Sequence, residues 1–272
     1  MSSRIKTAAG QNPLQNCPLK SAAVAASWPE PRYELIQGIA ADKSGLVDLW
    51  STSPFRLETN APRTQEIIDA LFPGDPLLCC GLSRHRFETR PKSRWYKLED
   101  LQFIVPNPMT EKQGVTRNGK LSAHALSNTG LRRFLVIEFD FDGSRSRAEA
   151  NLLAQFNADR RDVSDLCASL LLHLAQKAPL ALAVHSGGKS LHGWFYCTGQ
   201  REELLRRFMN YAASLGGDAA TWTRSQFVRM PDGLRDNGKR QAVFFFNPSV
   251  RSPIRGSKMT RSRLFQGISM MK

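Results

Sequence analysis

Acidic side chains are scarce in this chain. Its 272 residues carry 24 Asp or Glu against 38 Lys or Arg, a formal net charge of +14. A charge that large concerns partners rather than fold. Nucleic acid is the first candidate and an anionic membrane surface the second. Long apolar runs are also missing. None reaches the roughly 18 residues of a membrane span, and no sustained apolar stretch precedes Pro29 to make a secretory leader. Cysteine is sparse. Cys17, Cys79, Cys80, Cys167 and Cys197 form no C-x-x-C pair, and none has a His at zinc-ligand spacing. They read as free thiols of a reducing compartment. The expectation is a cytoplasmic protein with no membrane association. Hydrophobicity is not lacking. At 41% apolar residues the chain can form a packed core and is not of disordered composition, and its length fits one large domain or two small ones.

The positive charge is uneven. From Arg224 to Lys272 there are eleven Lys or Arg and two acids, Asp232 and Asp236, a net of +9. Arg251, Arg255, Lys258, Arg261 and Arg263 have no acid among them. Such a tail is either simply solvated or drawn to phosphate. Residues 1–30, rich in Ser, Ala, Gln, Asn and Pro, lack periodicity and are expected to be disordered. No internal repeat is found.

Between these ends, residues 62–73 read as a short amphipathic helix stopped by Pro73 and Gly74, 76–81 as a buried strand, and 101–105 as another strand ended by Pro106. Residues 107–130 read as a long loop or clamp. The clearest strand is 133–142, followed by one long helical stretch over 145–176 with Leu166, Leu170 and Leu174 at helical spacing. A strand at 180–185, a glycine turn at 186–190 and a strand at 191–197 come next. A helix at 201–215 and strands near 226–230 and 241–246 follow. This order predicts an α+β fold, a sheet covered by helices on one face.

Strand side chains alternate faces. Over 134–142 one face carries Leu135, Ile137, Phe139 and Phe141, plainly core. The other begins with Phe134 and Val136 and then places Glu138, Asp140 and Asp142 in a row. Three like charges at intervals of about 7 Å repel. Either that strand end faces water, or a divalent cation offsets the repulsion, since Mg²⁺ takes carboxylate oxygens and substrate phosphates. The apolar start of the same face argues for cover rather than open solvent.

Residues 183–190 nearly match the phosphate loop G-x-x-x-x-G-K-[ST], but Ala183 replaces the first glycine and a strand follows where a helix is required. A P-loop ATPase is therefore rejected. The turn keeps some of that physics. Gly187 and Gly188 would let backbone N–H groups converge on an anion, and Lys189, Ser190 and His192 could hold a triphosphate. His192 could equally be a hydrogen-bonded core histidine. Asp218 stands 26 residues after His192, beyond Gly216 and Gly217. It is either a turn residue or a third acid returned to the carboxylate strand. Arg229 and Arg235 flank a Pro231-Asp232-Gly233 turn, and Lys239 and Arg240 open the next strand. This is either a plain surface hairpin or one that touches a nucleic-acid backbone through Arg235, Lys239 and Arg240 while Arg229 neutralises triphosphate charge.

The acid-x-acid strand (Glu138, Asp140, Asp142), the Ser-x-His strand (Ser190, His192) and the later single acid (Asp218), in that order, resemble the three motifs of the archaeo-eukaryotic primase superfamily. Residues 187–194 and 229–235 look like the primase-polymerase versions from phages, plasmids and bacterial mobile elements. The resemblance spans about 134–246. It implies an RRM-like catalytic half at 131–248, a second α/β half at 31–130, and a basic tail at 249–272 that it does not cover. It further implies that Glu138 and Asp140 bind Mg²⁺ or Mn²⁺ with Asp218 as third ligand. Asp142 could replace one of the pair. Ser190 and His192 would contact nucleoside triphosphate, with Lys189 and Arg229 as helpers.

Family members often carry a zinc insertion, which no cysteine spacing here supports, or a fused helicase, for which the chain is too short. The expectation is a DNA primase, located at the nucleoid, acting on single-stranded template with a separately supplied helicase, unless the chain is a fragment. A non-catalytic replication initiator of the same fold and a metal-dependent nuclease are the alternatives. The triphosphate-like turn weighs against the nuclease.

Overall fold

A computed structural model describes residues 27–57, 63–159 and 161–251. The expected disordered start (apart from residues 27–30), Cys17 and the basic tail from 252 onward lie outside the described residues. The elements in chain order are α1 (Tyr33–Ala40), α2 (Leu46–Ser51), α3 (Thr64–Leu71), β1 (Leu77–Ser83), β2 (Arg86–Pro91), β3 (Phe103–Ile104), β4 (Gly114–Val115), β5 (Leu121–Ser122), β6 (Phe134–Phe139), α4 (Arg147–Ala158), α5 (Val163–Ala175), β7 (Leu180–His185), β8 (Leu191–Tyr196), α6 (Glu202–Ser214), β9 (Val228–Arg229) and β10 (Val243–Phe246). Antiparallel sheets and helices together make the fold α+β.

Strand β6 shows how the layers form. Leu135, Ile137, Phe139 and Phe141 enter a core shared with α1, α4, α5 and α6, whereas Phe134 and Val136 enter a second core shared with α3 and the first sheet. The sheet β10-β7-β8-β6 is thus apolar on both faces. Helices cover one face. The other packs against α3 and one face of the sheet β2-β1-β3-β9. Phe134 ties these layers together, meeting Phe72 and Trp194 edge to face at centroid distances of 5.8 and 5.5 Å.

The first sheet draws on chain from both sides of residue 130, whereas the second is formed wholly by chain after it. Helices α1 and α2 come early yet pack on the helical layer, where the Arg161 guanidinium donates to Ala40 O and Ser44 O and the Asp165 carboxylate accepts from Leu46 N. Strand β9 comes late yet completes the first sheet beside β3. In the second sheet β8 lies antiparallel between β6 and β7, which are joined by α4 and α5. After α6 the chain returns to the free edge of β6 as one antiparallel bridge, Phe139 to Gly217.

Three expectations need correction. The stretch 145–176 is two helices, not one. Asp162 caps α5 by accepting from Ser164 N and, with Asp165, forms a capping box, so the side chain that starts one helix stops continuation of the other. The carboxylate strand leaves the ladder at Phe139 rather than at Asp142, because the amides of Asp142 and Gly143 are bound by the Glu149 side chain instead. The loop at 107–130 contains a small hairpin, β4 with β5, and its Asn107 carboxamide oxygen accepts from Arg133 N and Phe134 N to fix the start of β6. Cys79, Cys80, Cys167 and Cys197 are free and buried. Among the described residues no helix is long and apolar enough to cross a membrane.

Replacing Phe134 by Ala empties a site that is 0% exposed between the two sheets. A loss of about 3–5 kcal/mol is expected for a fully buried aromatic. Urea unfolding of the variant measures it.

Candidate active site

The register of β6 on β8 sets Glu138 opposite His192. Side chains opposite each other on antiparallel strands share a face, and the His192 Nε2 atom lies 3.4 Å from Glu138 Oε1 and 3.3 Å from Ser190 Oγ. His192 is buried, and its Nδ1 has no hydrogen-bond partner among the described residues. Burial opposes the charged form of Glu138. The His192 ring, the Ser190 hydroxyl and the Arg229 guanidinium outweigh it and hold the carboxyl down to about 2.

On the other edge of β6, Asp218 N donates to Glu138 O at 2.9 Å. Gly217 makes this return possible, since a Cβ there would sit 2.9 Å from Ala212 O and 3.1 Å from Ile137 Cγ2. The bridge places Asp218 directly across from Glu138. His192, Glu138 and Asp218 therefore form one row over three adjacent backbone segments. The Asp218 carboxylate also accepts from Ala220 N at 2.9 Å, capping a short 3₁₀ turn. Both readings of Asp218 thus hold at once, turn residue and neighbour of the carboxylate strand.

Asp140 and Asp142 continue the row past the end of β6. Lys189 reaches over from the glycine turn, with Nζ 3.8 Å from Asp140 Oδ1 and 3.2 Å from Asp142 Oδ2. The two carboxylates differ in state. Hydrogen bonds from Ser144 and then from Lys189 pull the Asp142 carboxyl far below its usual range. Burial pushes Asp140 up; Lys189 works against that, and the charges of Glu138 and Asp142 work with it. Asp140 Oδ1 is buried without a hydrogen-bond partner.

The glycine turn corrects one expectation. Its amides do not converge on empty space. The Ser186 hydroxyl accepts from Gly188 N and Ser190 N, and the His185 ring nitrogen accepts from Gly187 N. A side chain of the turn itself fills the place assigned to an anion, which leaves Lys189 as the cationic group at its tip. Gly187, at φ +72°, is needed because a Cβ would lie 2.9 Å from Arg240 O.

The hairpin 231–241 lies on this turn. Arg235 Nη1 donates to Ser186 O at 3.4 Å, Arg240 Nε faces Asp232 Oδ1 at 3.6 Å, and Lys239 is exposed. Arg229 is half-buried, its guanidinium 4.8 Å from the Phe103 ring centroid. It acts electrostatically on Glu138, and burial followed by Arg235 lowers its own value. The structure therefore brings Glu138, Asp140, Asp142, Asp218, Lys189, Ser190, His192 and Arg229 to one region, with Arg235, Lys239 and Arg240 on its rim.

Two contributors were not found in the sequence. Glu149 is 0% exposed and accepts from Asp142 N and Gly143 N at 3.0 and 3.1 Å. Its position three residues after Ser146 was the available signal, a capping-type spacing. Ser186 carried only the signal of standing before two glycines. A surface cavity of about 620 Å³, walled by Arg132, Cys197 and Trp222, opens at the opposite end of β6 and β8 and includes none of the expected site residues.

The donor set is made of carboxylate oxygens, which suits a hard divalent cation rather than zinc. Asp140 Oδ1, buried without a hydrogen bond and with the Lys189 ammonium 3.8 Å away, is an oxygen that a cation could satisfy. Among the described residues no three His, Cys, Asp or Glu are grouped closely enough to hold a metal ion. The chain matches no family model, no curated protein and no solved structure.

Two outcomes are expected. The Glu138 carboxyl is held at about 2, below an unfolded glutamate near about 4.3. Its contribution is present above that unfolded value and is lost as pH falls toward 2. Urea unfolding at about pH 5, 4 and 3 should show stability falling more steeply in the wild type than in Glu138→Gln. Glu149→Ala leaves two part-buried amides without their partner and should cost about 1–3 kcal/mol in the same measurement at neutral pH.

Proposed function

We propose that the protein is a template-directed nucleotidyltransferase, a primase-polymerase that joins nucleotides on single-stranded DNA. The observation that carries this reading is that His192, Glu138 and Asp218, from three motifs far apart in sequence, lie on three adjacent backbone segments. Topology supports it too. Two strands joined by helices with an antiparallel strand between them, then a helix and a return to the first strand, is the path of an RRM-like unit. Here the fourth strand is reduced to the bridge at Gly217, and β10 adds to the far edge.

The reaction is attack of a primer 3′-hydroxyl on the α-phosphate of a nucleoside triphosphate, with pyrophosphate leaving. Asp140 and Asp142 are the carboxylates best suited to hold Mg²⁺ or Mn²⁺, because they already hold a cationic group between them. Asp218, whose amide donates to Glu138 O, would be the third acid. Bound there, the ions would lower the pKa of the attacking hydroxyl and stabilise the leaving oxygen. This shifts the metal pair one step along the strand from Glu138 and Asp140. Glu138 is instead engaged by His192, Ser190 and Arg229, and its charge holds those groups in place.

Positioning and charge neutralisation are what the remaining side chains supply. Arg229 and Lys189 face the site with positive charge against the triphosphate, and Ser190 with His192 offers hydrogen-bonding groups to its oxygens. Arg235, Lys239 and Arg240 on the rim, with the basic C-terminal segment, would contact template phosphates and give salt-dependent binding. A separately encoded helicase and a location at the nucleoid belong to the same proposal.

Asp140→Ala should reduce primer synthesis on single-stranded template by at least about 10³-fold, the scale of losing a group that acts on the transition state. Its affinity for a labelled oligonucleotide should stay within about twofold. Wild-type primer yield from the variant would sink the proposal, and degradation of the labelled strand without added nucleotide would replace it by a nuclease.

A further inference from the structure

We infer that Lys189 is an internal stand-in for the divalent cation: it holds Asp140 and Asp142 before a metal ion arrives, is displaced by it, and is thereby freed to meet the incoming triphosphate. The inference rests on the transferase reading and adds to it an order of events and a coupling between two ligands.

The geometry is specific. Lys189 Nζ lies between the last two carboxylates of the row, 3.2 Å from one and 3.8 Å from the other. A metal ion bridging those carboxylates would need the space its ammonium occupies, and two cations cannot share it. The backbone beneath is fixed, because Ser186 Oγ binds two amides of the turn and Arg235 holds Ser186 O. The lysine stem is not fixed in this way. Its side chain is 51% exposed, so the ammonium can swing out while the turn stays in place. Exposed ion pairs contribute little net stability, about 0–1 kcal/mol. A divalent ion gaining several carboxylate oxygens can displace such a contact.

Displacement changes what the lysine can do. While paired, its charge is spent on the acids. Once a cation has taken them, the ammonium is left at the tip of the turn, next to Ser190 at the entry to β8, where it can meet a polyphosphate. Metal and triphosphate would then bind with positive coupling through one side chain, and the coupling is reciprocal.

The test uses the full chain and two binding measurements that need no catalysis. Mn²⁺ alone is titrated and the free ion followed by its electron paramagnetic resonance signal. A dideoxynucleoside triphosphate, which binds without supporting chain growth, is then titrated at saturating Mn²⁺. Lys189→Met should bind Mn²⁺ about three- to fivefold more tightly than wild type, the fold-change of a lost exposed ion pair. It should bind the triphosphate more weakly. Lys189→Arg, which keeps the charge, should bind Mn²⁺ as wild type does, and unchanged thermal midpoints show that both variants fold.

Equal or weaker Mn²⁺ binding by Lys189→Met overturns the inference while leaving the transferase reading standing, with Lys189 as an ordinary phosphate-binding side chain. Failure of the wild type and both variants alike to bind Mn²⁺ removes the metal reading and the inference with it.

Discussion

The register of β6 on β8 is the constraint on which the candidate site depends. Side-chain direction in a strand has a period of two, so a slip of one residue would exchange the faces. Glu138 would leave His192 for the helical core, and Phe139 would be turned out. Slippage is opposed because it would carry the Glu138 carboxylate into an apolar core and exchange two separately packed sets of side chains. Leu135, Ile137 and Phe139 fill one core while Phe134 and Val136 fill the other, and Asn107 pins the strand at its start. The polar end of β6 is thus held in place by the packing of its apolar end. The same register gives Asp218 its position, since the return from α6 bridges at Phe139.

Three carboxylates at alternating positions, Glu138 on β6 with Asp140 and Asp142 just beyond its end, repel, and the fold offsets this differently at each. Glu138 is half-buried and compensated by His192, Ser190 and Arg229. Asp142 is compensated by Ser144 and Lys189. Asp140 lies between them with the least compensation, its carboxyl raised and one buried oxygen without a hydrogen bond. Neighbouring acids pushed in opposite directions by their surroundings are a mark of functional sites. A strand that served only to pack would have no use for the contrast, and Asp140 is where an added positive charge would gain most.

Much of this was legible in the sequence, for reasons that also explain what was not. Strands β7 and β8 and helix α6 were found nearly to the residue because alternation or helical period is clean there and turns bound them. The acids, Ser190, His192 and Asp218 stand out in the sequence because residue types in that order carry chemistry. Helices α1 and α2 were missed. At eight and six residues they have little intrinsic stability and are held by long-range bonds from Arg161 and Asp165 that local pattern cannot reveal. The filled glycine turn was missed for a similar reason. Whether amides at a glycine pair point to a ligand or to a neighbouring hydroxyl depends on the Ser186 rotamer, which composition does not encode. Glu149 resembled any exposed helical glutamate until its burial beneath the 142–143 turn was seen.

These missed residues together define the rigidity of the region. Glu149 fixes the loop that carries Asp142, Ser186 fixes the turn that carries Lys189, and Arg235 joins that turn to the hairpin carrying Lys239 and Arg240. The absence of a Cβ at Gly187 lets the Arg240 carbonyl close against the turn. Three backbone segments are therefore braced against one another around the acids, each by a side chain that leaves few backbone groups unsatisfied. Loops braced in this way resist large rearrangement, whereas the long, exposed stems of Lys189 and Lys239 are free to reorient at little cost. A response of this site to charge must then run through its lysines, with the carboxylates presented in advance by a backbone that does not need to move.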